Sequence, residues 1–371
     1  MPKWQLKILR TTGSDGSEWQ GLFDKLAIEN KDIHYTADYA HIYELTYGQT
    51  ANLAVYGDED DFIIMPFMLR DITLLPFMQV HHSESPVYDI ANPYEYGGPL
   101  AQLINIHSLS ALYQGFSEAF HSYCLDHGIV CEFASLHPLL ENHLPLQKGN
   151  WVNLKRRKRI VYIDLTKEMD AIWKGFSKGC RCSVKQAQKQ HVQIVRERVS
   201  GNSLAEFQRL YMETMQRNHA TERWLFSDGY FSNCSACLGD QHVSLFEAKL
   251  NGMTVAQSLI IHAYQTVYYH LSGSSASYFH LRPNNLLLYE IASWAKAQGY
   301  RWFHLGGGYQ PDDSLYRFKS SFSKENAWLY TYSRVHNEAR YVQLCAMKLA
   351  WNAACGQKAE ESDFFPAYRD K

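Results

Sequence analysis

Residues 300–322 read YRWFHLGGGYQPDDSLYRFKSSF, and this stretch holds the residue types that acyl or phosphoryl chemistry requires. A short aromatic strand, 301–305, runs into Gly306, Gly307 and Gly308. Asp312 and Asp313 follow, then a short helical segment carrying Phe318 and Lys319. Three adjacent glycines leave backbone N–H groups uncovered and allow positive φ, so a ligand or another backbone can approach closely. Lys319 stands just past that opening as an ammonium. The combination suits a site that holds an oxyanion or a phosphate; a loose turn followed by a solvated lysine is the plain alternative.

The chain around it is long enough for two domains, with 371 residues, 46% apolar and 20% charged. Net charge is −2 but uneven: residues 1–150 hold 7 Lys+Arg against 19 Asp+Glu, and residues 151–198 hold 13 against 4. Such a seam suits a polyanion, or is a solvated basic face. The 8 cysteines are scattered and the 17 histidines lack metal-ligand spacing, so free thiols, no metal site and a cytoplasmic protein are expected. The most apolar run, 62–78, is broken by Pro66, Arg70, Asp71 and Pro76 and cannot span a bilayer. GxGxxG, GxxxxGK[ST] and GxSxG are all missing, which argues against dinucleotide, P-loop and serine-hydrolase chemistry.

Apolar spacing predicts helices over 19–27, 38–47 and 107–127 and strands over 51–56, 61–69, 72–80 and 129–136, with an irregular aromatic segment at 83–100. A Pro-containing connection, 137–150, marks a boundary. Beyond it come a strand at 159–165, helices at 167–176 and 180–189, and a strand at 191–199. A helix running to about 215 follows, opened by a Ser203/Glu206 capping box. Asn251–Gly252 joins strands 243–250 and 253–262 as a type I′ hairpin. A strand at 266–272, a helix at 284–298 stopped by Gly299, strands at 301–305 and 326–335 and a helix at 338–354 complete the pattern. The polar tail 356–371 is expected to fray. The fold class is α/β, each half a mixed sheet flanked by helices.

Five stretches in order, 176–194, 207–220, 268–275, 282–299 and 303–323, resemble the C-terminal GNAT-like domain of Fem-type peptidoglycan-bridge aminoacyltransferases and FemAB-like acyltransferases. The first half resembles them through YEYGGPL. The resemblance implies two fused GNAT-like domains, 1–150 and 151–335, with 336–371 packing back on the first. It implies attack by an amine on an activated acyl carbonyl. The donor would be a tRNA ester or a coenzyme A thioester, used as a co-substrate with no tightly bound cofactor. Phe318–Lys319 matches the family's FK motif, which assigns Lys319 to the oxyanion or to the donor's phosphate or ribose end. Arg217, followed by Asn218, matches an arginine that contacts acceptor phosphates; a helix C-terminal cation is the alternative.

Tyr269 and His304 would line the gap between two splayed strands, as packing residues or, for His304, as a base. Asp312 and Asp313 could take the amine's proton but read best as a helix cap. Where acyl-CoA enzymes carry a glycine-rich turn for the pyrophosphate, this chain has LRPNNLLL with Arg282 and Asn284, which favours tRNA or another donor. The basic run 155–159 and the helix with Lys178, Arg181, Lys185 and Lys189 could contact RNA backbone or anionic lipid. The expected function is transfer of an acyl or aminoacyl group to the amine of an anionic cell-envelope precursor. The expected partners are that precursor, the donor, tRNA and the inner membrane surface, without DNA. The alternatives are an acyl-CoA-dependent N-acetyltransferase on a sugar or small amine, and a non-catalytic anion-binding protein.

Overall fold

The computed structural model describes residues 4–79, 86–104, 109–356 and 364–370. They form two compact units. The first holds Met1–Asn30, His34–Arg157 and Leu329–Lys371, the second Lys31–Ile33 and Lys158–Trp328.

In the first unit the strands run in the order β1 (Gln5–Arg10), β2 (Thr50–Gly57), β3 (Phe62–Asp71), β4 (Tyr88–Ala91), β6 (Ile129–Ser135) and β13 (Asn326–Val335), and β5 (Leu100–Gln102) also pairs with β3. All described neighbours are antiparallel except β4 and β6. Its helices are α1 (Gly13–Lys25), α2 (Ala37–Tyr47), α3 (Pro76–Gln79), α4 (Leu109–Asp126), α5 (His143–Gly149) and α12 (Glu338–Ala354). Helix α4 buries Leu112, Phe116, Phe120 and Cys124, a four-residue stripe that fits one helical face, in the core with Ile63, Met65 and Phe67.

The second unit has the order β7 (Asn153–Asp164), β12 (Trp302–Gly306), β11 (Thr266–Ser274), β10 (Met253–Ala263), β9 (Val243–Leu250) and β8 (Gln193–Glu197). Only β11 and β12 run parallel. Its helices are α6 (Met169–Gly175), α7 (Lys178–Lys189), α8 (Gly201–Arg217), α9 (Asp228–His242), α10 (Pro283–Ala297) and α11 (Ser314–Ser320). Helices α7 and α10 supply Val184, Ala187, Leu287 and Ile291 to a core with Val161, Val267, Phe303 and Leu305. Helices α8 and α9 pack on the opposite face. Asn251 and Gly252 carry φ of 49° and 81°, as the hairpin requires. At Gly273 a Cβ would lie 2.4 Å from the α8 backbone at Leu210 and Tyr211, so helix and strand meet there with no room for a side chain.

Four expectations are corrected. Residues 72–79 are not a strand: Asp71 accepts from the Thr73 N–H at 2.8 Å, the chain turns, and Pro76 opens α3; Val80 lies outside the described residues. The capping contact of α8 is made by Ser203, whose hydroxyl accepts from the Ser200 N–H at 3.4 Å, while Glu206 pairs with Arg209. The connection 137–150 contains α5. The tail does not fray at 364–370: Tyr368 is buried and its hydroxyl donates to Asp89 at 2.8 Å, with Arg369 on the same carboxylate at 2.6 Å. Residues 107–108, expected in α4, and 357–363 and 371 of the tail are outside the described residues.

Candidate active site

Strands β11 and β12 pair only through Thr266–Trp302, Val267–Phe303 and Tyr268–His304. Beyond these pairs β11 continues to Ser274 while β12 gives way to the glycines, so the two strands part. The β10–β11 register shifts between Leu259 and Ile260, which leaves His270 as an extra residue on β11. This bulge bends the strand at the parting, and no residue pattern announced it. The parallel step of the first unit is shut instead. Past Ala91, the Asn92 N–H donates to the Phe133 carbonyl at 3.3 Å, Asn92 Oδ1 accepts from the Ser135 N–H at 2.9 Å, and the Gly97 N–H donates to the Ser135 carbonyl at 2.8 Å.

Lys319 stands at the open step. The residue is 8% exposed, and its ammonium donates to the Gly307 carbonyl at 2.9 Å and lies 5.9 Å from the Tyr269 ring centre. A buried ammonium is costly unless hydrogen-bonded, and the carbonyl and the ring face supply part of what water would. Of the three glycines only Gly306 takes a positive φ, 76°, and a Cβ there would stand 3.1 Å from the Lys319 Nζ. At Gly307 a Cβ would lie 2.9 Å from the Arg159 carbonyl, and at Gly308 2.0 Å from the Asp313 carboxylate. The glycines are therefore needed for close approach as much as for φ. What Gly307 and Gly308 turn to the cations is carbonyl oxygen rather than N–H: Lys158 from β7 holds the Gly308 carbonyl.

Asp313 caps α11, accepting from the N–H groups of Tyr316 at 2.7 Å, Tyr309 at 2.7 Å and Gln310 at 3.0 Å. Burial pushes its carboxyl up, but those backbone donors and the Lys158 ammonium outweigh it and hold the group below its ordinary value. Asp312 pairs with Arg159 at 3.0 Å. Phe318 is half-buried edge-on to Phe322, with ring centres 5.3 Å apart, and packs against the core. Tyr269 packs against the same core, and burial pushes its hydroxyl up while Ser272 and Ser258 hold it down. His304 alternates to the other face from Phe303 and Leu305, its ring 5.3 Å from Tyr268. The Tyr268 hydroxyl donates to Asp32.

A second group gathers at the far end of β11. Arg217, the last residue of α8, donates to Thr214 Oγ1 at 3.1 Å and covers the Phe279 ring at 4.9 Å. Thr214 Oγ1 accepts from the Ser274 N–H at 2.9 Å, and Asn284 donates to Ser274 Oγ at 3.3 Å. Arg282 precedes Pro283 at the start of α10 with φ 59°, so it makes the left-handed turn that glycine would make with less strain. Asn218 is exposed just past α8. Lys319, Tyr269, Gly306 and Gly307 are thus one cluster. Arg217, Asn284 and, by sequence, Arg282 are another, and Thr214, Ser274 and Lys158 are members that sequence reasoning missed. Of the basic seam, Lys178, Lys185 and Lys189 are exposed on α7, whereas Arg181 turns inward to the Lys174 carbonyl at 3.1 Å.

Residues 175–320 match the Acetyltransf_6 family, an acetyltransferase (GNAT) domain. The chain carries a GNAT acyltransferase domain. That span runs from the end of α6 through the parting strands to the end of α11. No curated protein matches the chain in sequence. Among solved structures, the GNAT-type chain is similar to FemX, with a TM-score of 0.67 at 14% identity, over 91% of this chain and 99% of that one. A tandem GNAT protein from the clavulanic acid biosynthesis pathway matches with a TM-score of 0.51 at 8% identity, over 90% and 99%. A conserved protein from Bacteroides thetaiotaomicron matches at 0.53 and 10% identity, over 85% and 96%. These likenesses show an α/β fold, a mixed sheet flanked by helices, over nearly the whole chain. No helix among the described residues is long and apolar enough to cross a membrane.

Proposed function

We propose that this GNAT enzyme moves an activated acyl or aminoacyl group onto the amine of an anionic cell-envelope precursor, either peptidoglycan or surface polysaccharide. The observation that carries the reading is the Lys319 ammonium, held by the Gly307 carbonyl beside Tyr269 where β11 and β12 part. A neutral amine attacks the carbonyl of the donor ester or thioester. The C–N bond forms, the carbonyl oxygen takes negative charge, and the C–O or C–S bond to the carrier breaks. The amine's proton leaves to solvent or a base, and the carrier departs as its alcohol or thiol. In this reading Lys319 stabilises the oxyanion. Arg217 and Arg282 offer a cationic end for phosphates, with Asn284 beside Ser274.

The donor is a co-substrate, aminoacyl-tRNA in this reading, and the exposed lysines of α7 supply sequence-independent contacts to its backbone. The free cysteines fit a reducing cytoplasm, with the enzyme meeting its precursor at the membrane surface. A second reading, an acyl-CoA-dependent transferase on a sugar or small amine, is favoured by the left-handed turn that Arg282 keeps at the start of α10. Purified protein is incubated with aminoacyl-tRNA or acetyl-CoA and a panel of amino-sugar and muropeptide nucleotides, and products are read by mass spectrometry. Product from aminoacyl-tRNA alone supports the first reading; product from acetyl-CoA alone replaces it with the second. Binding of the donor that is unchanged across a tenfold salt range would remove α7 from the account.

A further inference from the structure

The Gly307–Gly308 segment is held from two sides. Lys319 on α11 donates to the Gly307 carbonyl at 2.9 Å, and Lys158 on β7 donates to the next carbonyl, that of Gly308. The Lys158 stem lies along the same segment: its Cδ and Cε stand 3.5 Å from where a Gly307 Cβ would be. The loop continues into the Asp313 cap, and Asp313 and Lys158 also attract each other. Burial lowers the Lys158 pKa, Arg223 adds to that, and Asp313 opposes both. The rest of its basic run behaves differently, since Lys155 and Arg156 are exposed, Arg157 donates to Thr331 Oγ1 at 2.9 Å and Arg159 pairs with Asp312. Lys158 is thus the member of the run whose ammonium holds the carbonyl next to the Lys319 acceptor.

We propose that Lys158 is a positioning residue for Lys319: by holding the Gly308–Tyr309 peptide it fixes the adjoining Gly307–Gly308 peptide, whose carbonyl aims the Lys319 ammonium at the parting of β11 and β12. This rests on Lys319 being the oxyanion group, but it is tested without turnover. An oxyanion donor works only if its position is set before the charge develops. A lysine grafted from a neighbouring strand sets it by removing the loop's freedom.

The test is labelling of the full chain by acetic anhydride at pH 8, with the rate at each lysine read from peptide masses. In the native protein Lys319 should label slowly. Lys158→Met, which removes the donor to Gly308, should speed Lys319 labelling about tenfold. Lys158→Arg, which keeps a donor, should leave it within about twofold of wild type. Equal speeding by both variants would mean that Lys158 only fills space, and no speeding by Lys158→Met would mean that Lys319 is held without it; either overturns the proposal. A measurement on the unmodified sequence guards against a variant that fails to fold. Over urea concentrations below the global transition, Lys158 and Lys319 should lose protection together, and loss at separate concentrations overturns the proposal. Retained activity in Lys319→Ala would instead sink the catalytic reading and leave the labelling result standing.

Discussion

Lys319 is the residue on which the proposed chemistry turns, and its substitution gives the most direct expectation. Lys319→Ala should lower transfer by roughly 10²–10³-fold, the usual loss for one oxyanion donor. Its circular dichroism should stay unchanged, because α11 remains capped by Asp313 at 2.7 Å. A second residue, Glu132 in the first unit, governs pH rather than catalysis. It is buried among Arg334, Tyr332 and His336; burial pushes its carboxyl up to about 7, and Arg334 and Tyr332 restrain the rise. In the unfolded chain the group gives up its proton near pH 4.3. The folded state therefore binds more protons between about pH 4 and 7, and stability from this group falls as pH rises through that window. Glu132→Gln removes the ionisation. Its unfolding free energy relative to the wild type, read from urea titrations, should rise between pH 5 and pH 8 by on the order of 2–3 kcal/mol. Equal differences at the two pH values would refute the assignment.

At the scale of elements, the contact of α8 with β11 and the cap of α11 decide whether the parting strands hold their shape. Gly273→Ala drives a Cβ to 2.4 Å from the α8 backbone, where nothing flexible can move aside. Urea unfolding should show a loss of about 2–4 kcal/mol. Gly179→Ala on α7 has no atom within 4 Å of the new Cβ and should gain up to about 1 kcal/mol. Much of this layer was legible in the residues. Asn251–Gly252 announced its hairpin, Gly299 the end of α10, and strand β13 and helix α12 appear with the bounds their patterns give. What stayed hidden depends on partners distant in sequence. Strands β4 and β5 are 4 and 3 residues long, too short for alternation to declare them. The bulge at His270 exists only in its register against β10. Lys158 reads as one more cation in a basic run until β7 is set beside the glycines. Phe318–Lys319 was visible as a motif, but that the glycines offer carbonyls to lysines needed the fold.

For the whole molecule, the division into units does not follow the chain. The second unit takes in Lys31–Ile33, and the buried Asp32 receives the Tyr268 hydroxyl. A fragment spanning Lys158–Trp328 would therefore lack that acceptor under β11. It should melt less cooperatively than the same unit in the full chain, which calorimetry would show; an equal, two-state transition would contradict this. Both units follow one strand pattern: four antiparallel strands, a parallel step across a helix, then an antiparallel sixth. One parallel step is laced shut through Asn92 and Gly97, and the other stands open at Tyr269 and Gly306. An unzipped step forgoes ladder hydrogen bonds, a serious loss against a stability margin of about 5–15 kcal/mol. With the same architecture present twice, inherited changes meet two different judges. On the proposed reading, a substitution at Asn92 is weeded out because the chain unravels, and one at Gly306 because transfer is lost, so ancestry should leave separate imprints on two stretches of like topology.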